Sequence, residues 1–305
     1  MRVAAIDIGT NSTRLLVADV EEGGKAGLRT VERLTRITRL GQGVDATRRL
    51  HPDAIARTVG VLQEYGSRLR ALGAQRVRAT ATSASRDAGN REDFFGPAED
   101  AIGVRPELIS GEQEAGLTFA GATAGLDVPA PYLVFDVGGG STELIVGTTE
   151  PDGLLSVDVG CVRLTEQFLH GDPPAAEELS QAVSIVRDHL ADVSRELPAA
   201  SGAKTLIGTA GTVWTMAAVE LGVDASESER IHHFRLSRDA AEDVFRTLAT
   251  EPIEQRRHNP GLDPGRVDVI VGGAIVVVSV MRHFHFDKML VSEADILDGL
   301  ARSIG

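Results

Sequence analysis

The chain has 305 residues, of which 42% are hydrophobic and 25% charged, as in soluble globular proteins of one or two domains. Its formal net charge of −13 argues against a protein that coats nucleic acid or an anionic membrane. The single cysteine, Cys161, excludes an intrachain disulfide and a thiolate zinc cluster. Asp7 follows the start too closely for a signal peptide, and the longest apolar run, 269–281, is too short for a membrane span. We therefore expect a cytoplasmic protein.

The first part of the sequence alternates between strand and helix patterns. Strands are predicted at 3–7, 14–20, 76–81 and 107–109. Helices are predicted at 53–72, 91–103 and 112–125. Ser110, with Gln113 three residues later, has the spacing of a capping box at the start of the third helix. The Glu21–Glu22 pair is interpreted as a solvated face.

Residues 125–131 have linker composition, with two prolines, and predict domains at 1–126 and 127–305. The closing helix is free, on this interpretation, to pack back on the first domain. Strands are predicted at 132–136, 143–147, 156–159 and 288–292. Helices are predicted at 163–169, 175–197 and 294–303, with a strand–turn–helix at 204–219. Asp263-Pro264 predicts the start of the last long helix, with proline in its first turn. The alternation of strands and helices indicates an α/β fold.

An internal repeat is the most informative pattern in the sequence. DIGTNSTRLLV from Asp7 returns as DVGGGSTELIV from Asp136, an offset of 129 residues. Two copies of one strand–turn–strand unit predict two related domains facing each other across a cleft lined by both turns.

A turn of Gly, Ser, Thr and Asn between strands can aim several backbone N–H groups at one point, which makes an anion-binding nest. One copy alone is equally consistent with a plain tight hairpin, but two matched copies favour the nest. Arg14 in the first copy aligns with Glu143 in the second. The first turn therefore offers a cation for phosphate, while Asp136 and Glu143 offer carboxylates for Mg²⁺.

A third loop, GTAGT at 208–212, follows a strand and opens a helix. A helix N-terminus with small residues can bind an anion. An ordinary strand-to-helix turn explains the pattern equally well, so both interpretations stay open.

Four motifs in this order resemble the exopolyphosphatase / guanosine pentaphosphate phosphohydrolase (Ppx/GppA) family over essentially the whole chain. They are 7–12 (DIGTNS), 109–115 (ISGEQEA), 136–143 (DVGGGSTE) and 208–212 (GTAGT). The resemblance implies an α/β fold of two duplicated domains of the actin-like ATPase and sugar-kinase type. Each of these domains is expected to have a ribonuclease H-like fold. It also implies a homodimer. Longer family members continue into helical domains, so this short two-domain form is expected to prefer shorter polyphosphate chains.

The resemblance also implies roles for individual residues. Glu114 matches the residue that activates the attacking water, although Glu112 is equally eligible from the spacing alone. The expected metal ligands for Mg²⁺ or Mn²⁺ are Asp136, Glu143 and Asp7. The expected contacts to substrate phosphates are Thr10, Asn11, Ser12, Arg14, Arg86, Gly138, Gly139, Gly140, Ser141, Thr142, Gly208, Thr209, Gly211 and Thr212.

Hydrolysis of a phosphoanhydride needs an in-line water, a base and cations on the developing charge, which these residue types supply. The leading prediction is an exopolyphosphatase acting on inorganic polyphosphate. A hydrolase of guanosine pentaphosphate or of other nucleotides uses the same parts and stays open, although few aromatic residues are present to stack a purine. A non-catalytic phosphate sensor and a kinase are the remaining alternatives, and the presence of a candidate base argues against the sensor.

Other candidate residues have weaker patterns. His283 and His285 could share one face of a strand and bind a metal, but no third ligand is nearby in the sequence. Cys161 is expected to be a buried, inert thiol. Arg163 is a further candidate for phosphate binding, and Arg257 fits either a solvated cluster or an anion entry path.

Overall fold

The computed structural model describes residues 1–20 and 27–304, so the Glu21–Glu22 pair lies outside the described residues. The chain forms two compact units. The first comprises Met1–Gly121 and the C-terminal segment from Ala294, and the second comprises Ala122–Glu293. The division falls close to the proline-containing segment 125–131, and the closing helix belongs to the first unit.

The first unit contains a five-stranded sheet in the order β3-β2-β1-β4-β5. Its strands are β1 (Arg2–Ile8), β2 (Ser12–Val20), β3 (Leu28–Ile37), β4 (Arg76–Ala81) and β5 (Glu107–Leu108). Its helices are α1 (Val44–Thr47), α2 (Pro52–Leu72), α3 (Ser83–Asp87), α4 (Glu92–Ile102), α5 (Gly111–Ala122) and, at the end of the chain, α13 (Ile296–Arg302). β1 pairs antiparallel with β2 and parallel with β4.

β1 and β2 are buried on both faces, which explains their nearly continuous apolar sequence. Ala4, Ile6 and Ile8 belong to the core shared with α2 and α4. Val3 and Ala5, which alternate with them, pack instead with the side chains of α13. The period of two along each strand thus divides its residues between two layers of helices.

The second unit contains a six-stranded sheet in the order β10-β11-β9-β6-β7-β8. Its strands are β6 (Tyr132–Val137), β7 (Thr142–Gly147), β8 (Pro151–Val157), β9 (Thr205–Thr209), β10 (Arg235–Ser237) and β11 (Lys288–Val291). Its helices are α6 (Cys161–Phe168), α7 (Ala176–Glu196), α8 (Ala210–Leu221), α9 (Ser228–Ile231), α10 (Arg238–Thr250), α11 (Ile253–Arg256) and α12 (Ile270–His283), with a 3-10 helix at Pro198–Gly202.

The apolar run at 269–281 forms α12, which is buried along almost its whole length in the core of the second unit. The prediction that this helix starts at Asp263-Pro264 is wrong. The Asp263 side chain accepts a hydrogen bond from the Gly265 backbone N–H at 2.7 Å, which closes a turn, and the helix begins only at Ile270. No helix within 1–20 and 27–304 is long and apolar enough to cross a bilayer.

The two sheets share the same arrangement around the repeated strands. In each, the first strand of the repeat pairs with the second, which pairs with a third strand in meander order. On its other side the first strand pairs in parallel with a strand that follows a 21-residue helix, α2 or α7. Asp7 lies opposite Thr80 in one parallel pair, and Asp136 lies opposite Thr209 in the other, again at an offset of 129 residues. The predicted duplication of an α/β unit is confirmed.

The hypothesis of a strand carrying both His283 and His285 is wrong. His283 is the last residue of α12, and His285 lies in the following turn with a φ of 58°. β3 and α10 were not predicted. β3 is an edge strand whose sequence, LRTVERLTRI, is only half-buried, so it lacks a clean alternation of apolar and polar residues.

Candidate active site

The first turn of the repeat connects β1 to β2. Asp7 and Arg14 lie directly opposite each other in the antiparallel register, and the Gly9 N–H donates to the Ser12 carbonyl at 2.9 Å. A Cβ on Gly9 would lie 3.1 Å from that carbonyl oxygen, so glycine allows the tight turn.

The second turn, between β6 and β7, repeats this geometry. Asp136 lies opposite Glu143, the Gly138 N–H donates to the Ser141 carbonyl at 3.0 Å, and a Cβ on Gly138 would lie 3.1 Å from that oxygen. The sequence repeat is therefore a repeat of backbone geometry and not only of composition.

The first turn contains buried polar atoms that have no hydrogen-bond partner among the described residues. They are Asp7 Oδ1, Thr10 Oγ1 and both amide atoms of Asn11. Asn11 is 4% exposed and Thr10 8%. Unsatisfied buried polar groups are costly and rare, and a ligand is a common reason for their presence. The Thr10 hydroxyl and the Asn11 side-chain NH₂ can donate to phosphate oxygens, whereas Asp7 Oδ1 and Asn11 Oδ1 can accept from an ordered water.

Arg14, predicted as a phosphate ligand, is bound by carboxylates. Its guanidinium contacts Asp7 Oδ2 at 2.7 Å through Nη2 and at 3.1 Å through Nε, and Nη1 contacts Asp295. Burial raises the pKa of Asp7, and the charge and hydrogen bonds of Arg14 oppose that rise. The first turn thus holds an ion pair, and whether Arg14 binds phosphate and Asp7 a metal stays a prediction.

Asp295 is the main residue of this region that the sequence analysis missed. It caps α13, where its Oδ1 accepts from the Leu297 N–H at 3.0 Å, and Asp298 accepts from the Asp295 N–H at 3.0 Å. Asp298 also pairs with Arg33 of β3. The Asp-x-x-Asp spacing is a capping-box signal that could have identified the helix start, but not the contact with Arg14.

Glu114 and Arg86, two predicted site residues, contact each other. Arg86 Nη1 donates to Glu114 Oε2 at 2.8 Å and to the Ile109 carbonyl at 3.0 Å. The predicted capping box is confirmed, since the Ser110 N–H donates to Gln113 Oε1 at 2.9 Å and the Gln113 N–H to Ser110 Oγ at 3.1 Å. This box fixes the first turn of α5 and therefore the direction of Glu114, whose side chain is 15% exposed.

In the second unit, Asp136 and Glu143 form a buried carboxylate pair. Thr209 Oγ1 donates to Asp136 Oδ2 at 3.1 Å, and Ser156 Oγ donates to Glu143 Oε1 at 2.8 Å. Two carboxylates oriented by hydroxyl groups fit Mg²⁺, which takes one or two carboxylates and completes its shell with water and phosphate oxygens. Within 1–20 and 27–304 no group of three or more His, Cys, Asp or Glu side chains is arranged as an all-protein metal site.

Backbone hydrogen bonds from the start of α6 hold the second turn in place. The N–H groups of Cys161, Val162 and Arg163 donate to the carbonyls of Gly138 and Gly139 at 2.9–3.1 Å. A Cβ on Gly160 would lie 2.5 Å from the Gly139 carbonyl carbon, so the contact requires glycine. The Thr142 hydroxyl donates to the Val159 carbonyl at 2.6 Å and is used structurally.

The third loop adjoins the second turn through Thr209, the residue that contacts Asp136. Gly211 lies under the guanidinium of Arg266, whose central carbon would be 2.1 Å from a Cβ there. Arg266 is 8% exposed and was not predicted. Thr212 is buried against Gly273 of α12.

The remaining candidates are assigned mainly to structural contacts. Burial raises the pKa of the Cys161 thiol, as expected for an inert cysteine. Arg163 lies beside the second turn and pairs with Asp158 at 3.6 Å. Arg257 pairs with Glu254 on the surface at 2.9 Å. His283 Nε2 hydrogen-bonds Ser194 Oγ at 2.6 Å.

Comparison with known proteins identifies the class of protein. Residues 16–304 match the Ppx/GppA phosphatase family, and the chain belongs to that family. It is 46% identical to exopolyphosphatase 2 of Mycobacterium tuberculosis, over 99% of this chain and 98% of that protein. The crystal structure of the Aquifex aeolicus member of the Ppx/GppA family is 32% identical with a TM-score of 0.82. The match covers 100% of this chain and 97% of the Aquifex aeolicus chain. The crystal structure of an exopolyphosphatase-like protein is 37% identical with a TM-score of 0.95, and the match covers 100% of this chain and 99% of that protein.

Proposed function

We propose that this chain is an exopolyphosphatase, which uses a divalent metal ion to release the terminal phosphate of inorganic polyphosphate. The observation that carries the proposal is the Glu114 carboxylate, fixed by Arg86 at the start of α5. A sensor or a kinase does not require a carboxylate in that position to activate water. The 46% identity to a relative named exopolyphosphatase 2 supports the same substrate.

In the proposed reaction, Glu114 accepts a proton from water as the water oxygen attacks the terminal phosphorus. The bond from phosphorus to the bridging oxygen breaks, which yields orthophosphate and a chain one phosphate shorter. Arg86 orients the base because it binds one carboxylate oxygen and the Ile109 carbonyl together. A positioned general base contributes about 10²–10⁴-fold to such a rate.

The phosphate oxygens are assigned to the two turns. In the first turn, the buried Thr10 hydroxyl and Asn11 side-chain NH₂ are the groups that can donate to phosphate oxygens. In the second turn, the glycines at 138–140 leave room for phosphate to approach the backbone, and Ser141 adds a hydroxyl. The third loop, with Thr209 and Gly211, is assigned a supporting role because Thr209 contacts Asp136.

Asp136 and Glu143 are the residues proposed to hold Mg²⁺ or Mn²⁺. The bound ion supplies positive charge that offsets the negative charge developing on the transferred phosphate. Ser156 and Thr209 each donate to one of these carboxylates and so orient them.

Polyphosphate is favoured over a nucleotide by the placement of the aromatic side chains. The single Trp and both Tyr donate hydrogen bonds to backbone carbonyls, Trp214 to Ala225, Tyr65 to Thr13 and Tyr132 to Val128. Each phenylalanine is buried or packed against a core. The only exposed large hydrophobic side chain in the described parts of the chain is Leu108. No Trp, Tyr or Phe side chain among the described residues is exposed enough to offer an open stacking surface to a purine.

A phosphate-release assay on polyphosphate, guanosine pentaphosphate and ATP, with and without Mg²⁺, tests the proposal. We expect metal-dependent release that is fastest from polyphosphate. Faster release from guanosine pentaphosphate would overturn the substrate assignment, and no release from any substrate would overturn the hydrolase assignment. A series of polymer lengths tests the predicted preference for shorter chains. The homodimer and the cytoplasmic location stay predictions, and light scattering measures the first.

A further inference from the structure

Asp295 connects helix α13 to the first turn. It is 2% exposed, and its two carboxylate oxygens have different partners. Oδ1 accepts from the Leu297 backbone N–H and caps the helix, while Oδ2 binds the guanidinium of Arg14. One side chain therefore caps the start of α13 and binds Arg14, which lies opposite Asp7 in the β1–β2 register.

The charged side chains around Arg14 form a connected network. Arg14 binds Asp7 and Asp295, and Arg33 lies 3.7 Å from Asp295 and also binds Asp298. When all are ionised, three carboxylates face two guanidinium groups, which leaves this network with one net negative charge. Such a network reduces the attraction of Arg14 for a phosphate chain while it fixes the direction of the guanidinium.

Helix α13 is itself held tightly against α5. A Cβ on Gly121 would lie 1.9 Å from the Asp295 carbonyl oxygen, and a Cβ on Gly299 would lie 1.9 Å from the Leu117 carbonyl oxygen. The two helices thus touch backbone to backbone. Because α5 carries Glu114 in its first turn, Asp295 stands at a fixed position relative to the helix of the proposed base.

We propose that Asp295 is a positioning residue, which fixes the Arg14 guanidinium in the orientation used for turnover and weakens its pull on the substrate. This inference rests on the proposed function in assigning Arg14 to phosphate. Asp295 contacts no phosphate itself and acts only through Arg14.

The test is Asp295→Asn, which removes the charge but keeps a side-chain oxygen for the Leu297 N–H, since Asn caps helices as well as Asp does. With less of its charge neutralised, Arg14 should bind polyphosphate more tightly, so KM should fall several-fold. With its orientation lost, kcat should fall about 10- to 100-fold.

The matched control is Asp298→Asn. Asp298 pairs with Arg33 and accepts from the Asp295 N–H, so it shares the helix cap and the network. If Asp295 acts through Arg14, the control should keep both KM and kcat near their wild-type values. Equal changes in the two variants, or an unchanged Asp295→Asn enzyme, would overturn the inference.

Equilibrium binding of polyphosphate without metal, measured by calorimetry, separates this inference from the proposed function. A wild-type chain that binds polyphosphate but releases no phosphate overturns the hydrolase assignment alone. In that case tighter binding by Asp295→Asn than by the wild type still supports the role of Asp295, and equal or weaker binding overturns it. A wild-type chain with no affinity for polyphosphate overturns both.

Discussion

The two turns of the repeat share one backbone hydrogen bond and differ in the charges of the side chains that flank it. In the first turn Asp7 faces Arg14, and in the second Asp136 faces Glu143 at the equivalent register position. The first pair is an ion pair, whereas the second is a pair of carboxylates held by the hydroxyls of Thr209 and Ser156. Of the differences between the two copies, the exchange of Arg14 for Glu143 is the one that changes charge, and it separates an ion pair from a pair of carboxylates.

The turns also differ in what supports them. The first is supported by backbone hydrogen bonds from Thr38, Arg39 and Gly41 to the carbonyls of residues 10 and 11 at 2.9–3.0 Å, and also by a side-chain network that runs to α13 through Asp295. The second is supported by backbone hydrogen bonds from α6 to Gly138 and Gly139. Both turns therefore depend on backbone hydrogen bonds, and the first depends in addition on an ion-pair network.

The largest expected effect is that of Glu114→Gln, since it removes the proposed base and leaves both turns intact. Turnover of polyphosphate should fall about 10²–10⁴-fold while equilibrium binding changes little. Glu112→Gln, on the exposed side of the same helical turn, is the matched control and should retain activity. Steady-state phosphate release and calorimetry measure the two quantities, and similar rates for wild type and Glu114→Gln would contradict the role.

The next prediction compares equivalent positions of the two turns. Asp136→Asn should raise the Mg²⁺ concentration needed for half-maximal activity by about 10- to 100-fold or more. Loss of a residue that only orients a metal ligand already has an effect of that size. Asp7→Asn should shift it much less, since Asp7 is paired with Arg14. Equal shifts in both variants would support the prediction that Asp7 is a metal ligand and contradict the distinction between the turns.

Much of this comparison was accessible from the sequence. The repeat at an offset of 129 residues predicted two strand–turn–strand units and the exchange of Arg14 for Glu143 between them, but not that Arg14 would lie opposite Asp7 and pair with it. The capping box at Ser110 was readable because its two hydrogen bonds join residues three positions apart. Local hydrogen bonds and apolar periodicity are encoded over a few neighbouring residues, so a sequence pattern suffices.

The contacts that were missed join residues distant in the sequence. Arg14 and Asp295 are 281 positions apart, and Arg266 covers Gly211 from a separate segment. Their pairing depends on how helices pack on the sheet, which periodicity does not specify. The start of α12 was misplaced for a different reason, since Asp263 forms a turn with Gly265 that competes with a helix cap.

Adding one methyl group to a glycine at the α5–α13 contact or the α6 contact should lower the free energy of unfolding. Gly121→Ala at the α5–α13 contact and Gly160→Ala at the α6 contact should each destabilise the protein by about 1–3 kcal/mol through overpacking. Gly116, also in α5, has no atom within 4 Å of an added Cβ, so Gly116→Ala should stabilise by about 0.5–1 kcal/mol. Urea unfolding measures all three, and a stable Gly121→Ala variant would contradict backbone contact between α5 and α13.

The smallest expected effect is a difference in the pH dependence of stability between the units. Burial raises the pKa of Asp298 in the first unit, an effect that Arg33 opposes. In the second unit, hydrogen bonds from backbone N–H groups, led by that of Ala175, lower the pKa of Glu178. A raised carboxyl pKa contributes stability that is fully present below the unfolded value and is lost as pH rises through the folded value. A lowered carboxyl pKa contributes stability that is present above the unfolded value and is lost as pH falls through the folded value.

The stability of Asp298→Asn relative to wild type should therefore increase as pH rises from about 4 through the raised pKa of Asp298. Glu178→Gln should be less stable than wild type at neutral pH, and that deficit should shrink as pH falls below the ordinary carboxyl value toward the lowered pKa of Glu178. Thermal unfolding of the three proteins between pH 3 and 8 measures both trends. Differences from wild type that stay constant with pH would show that neither carboxyl has a shifted pKa. If Asp298→Asn instead became less stable relative to wild type as pH rises, the attraction of Arg33 for the Asp298 carboxylate would have to exceed the cost of burying it.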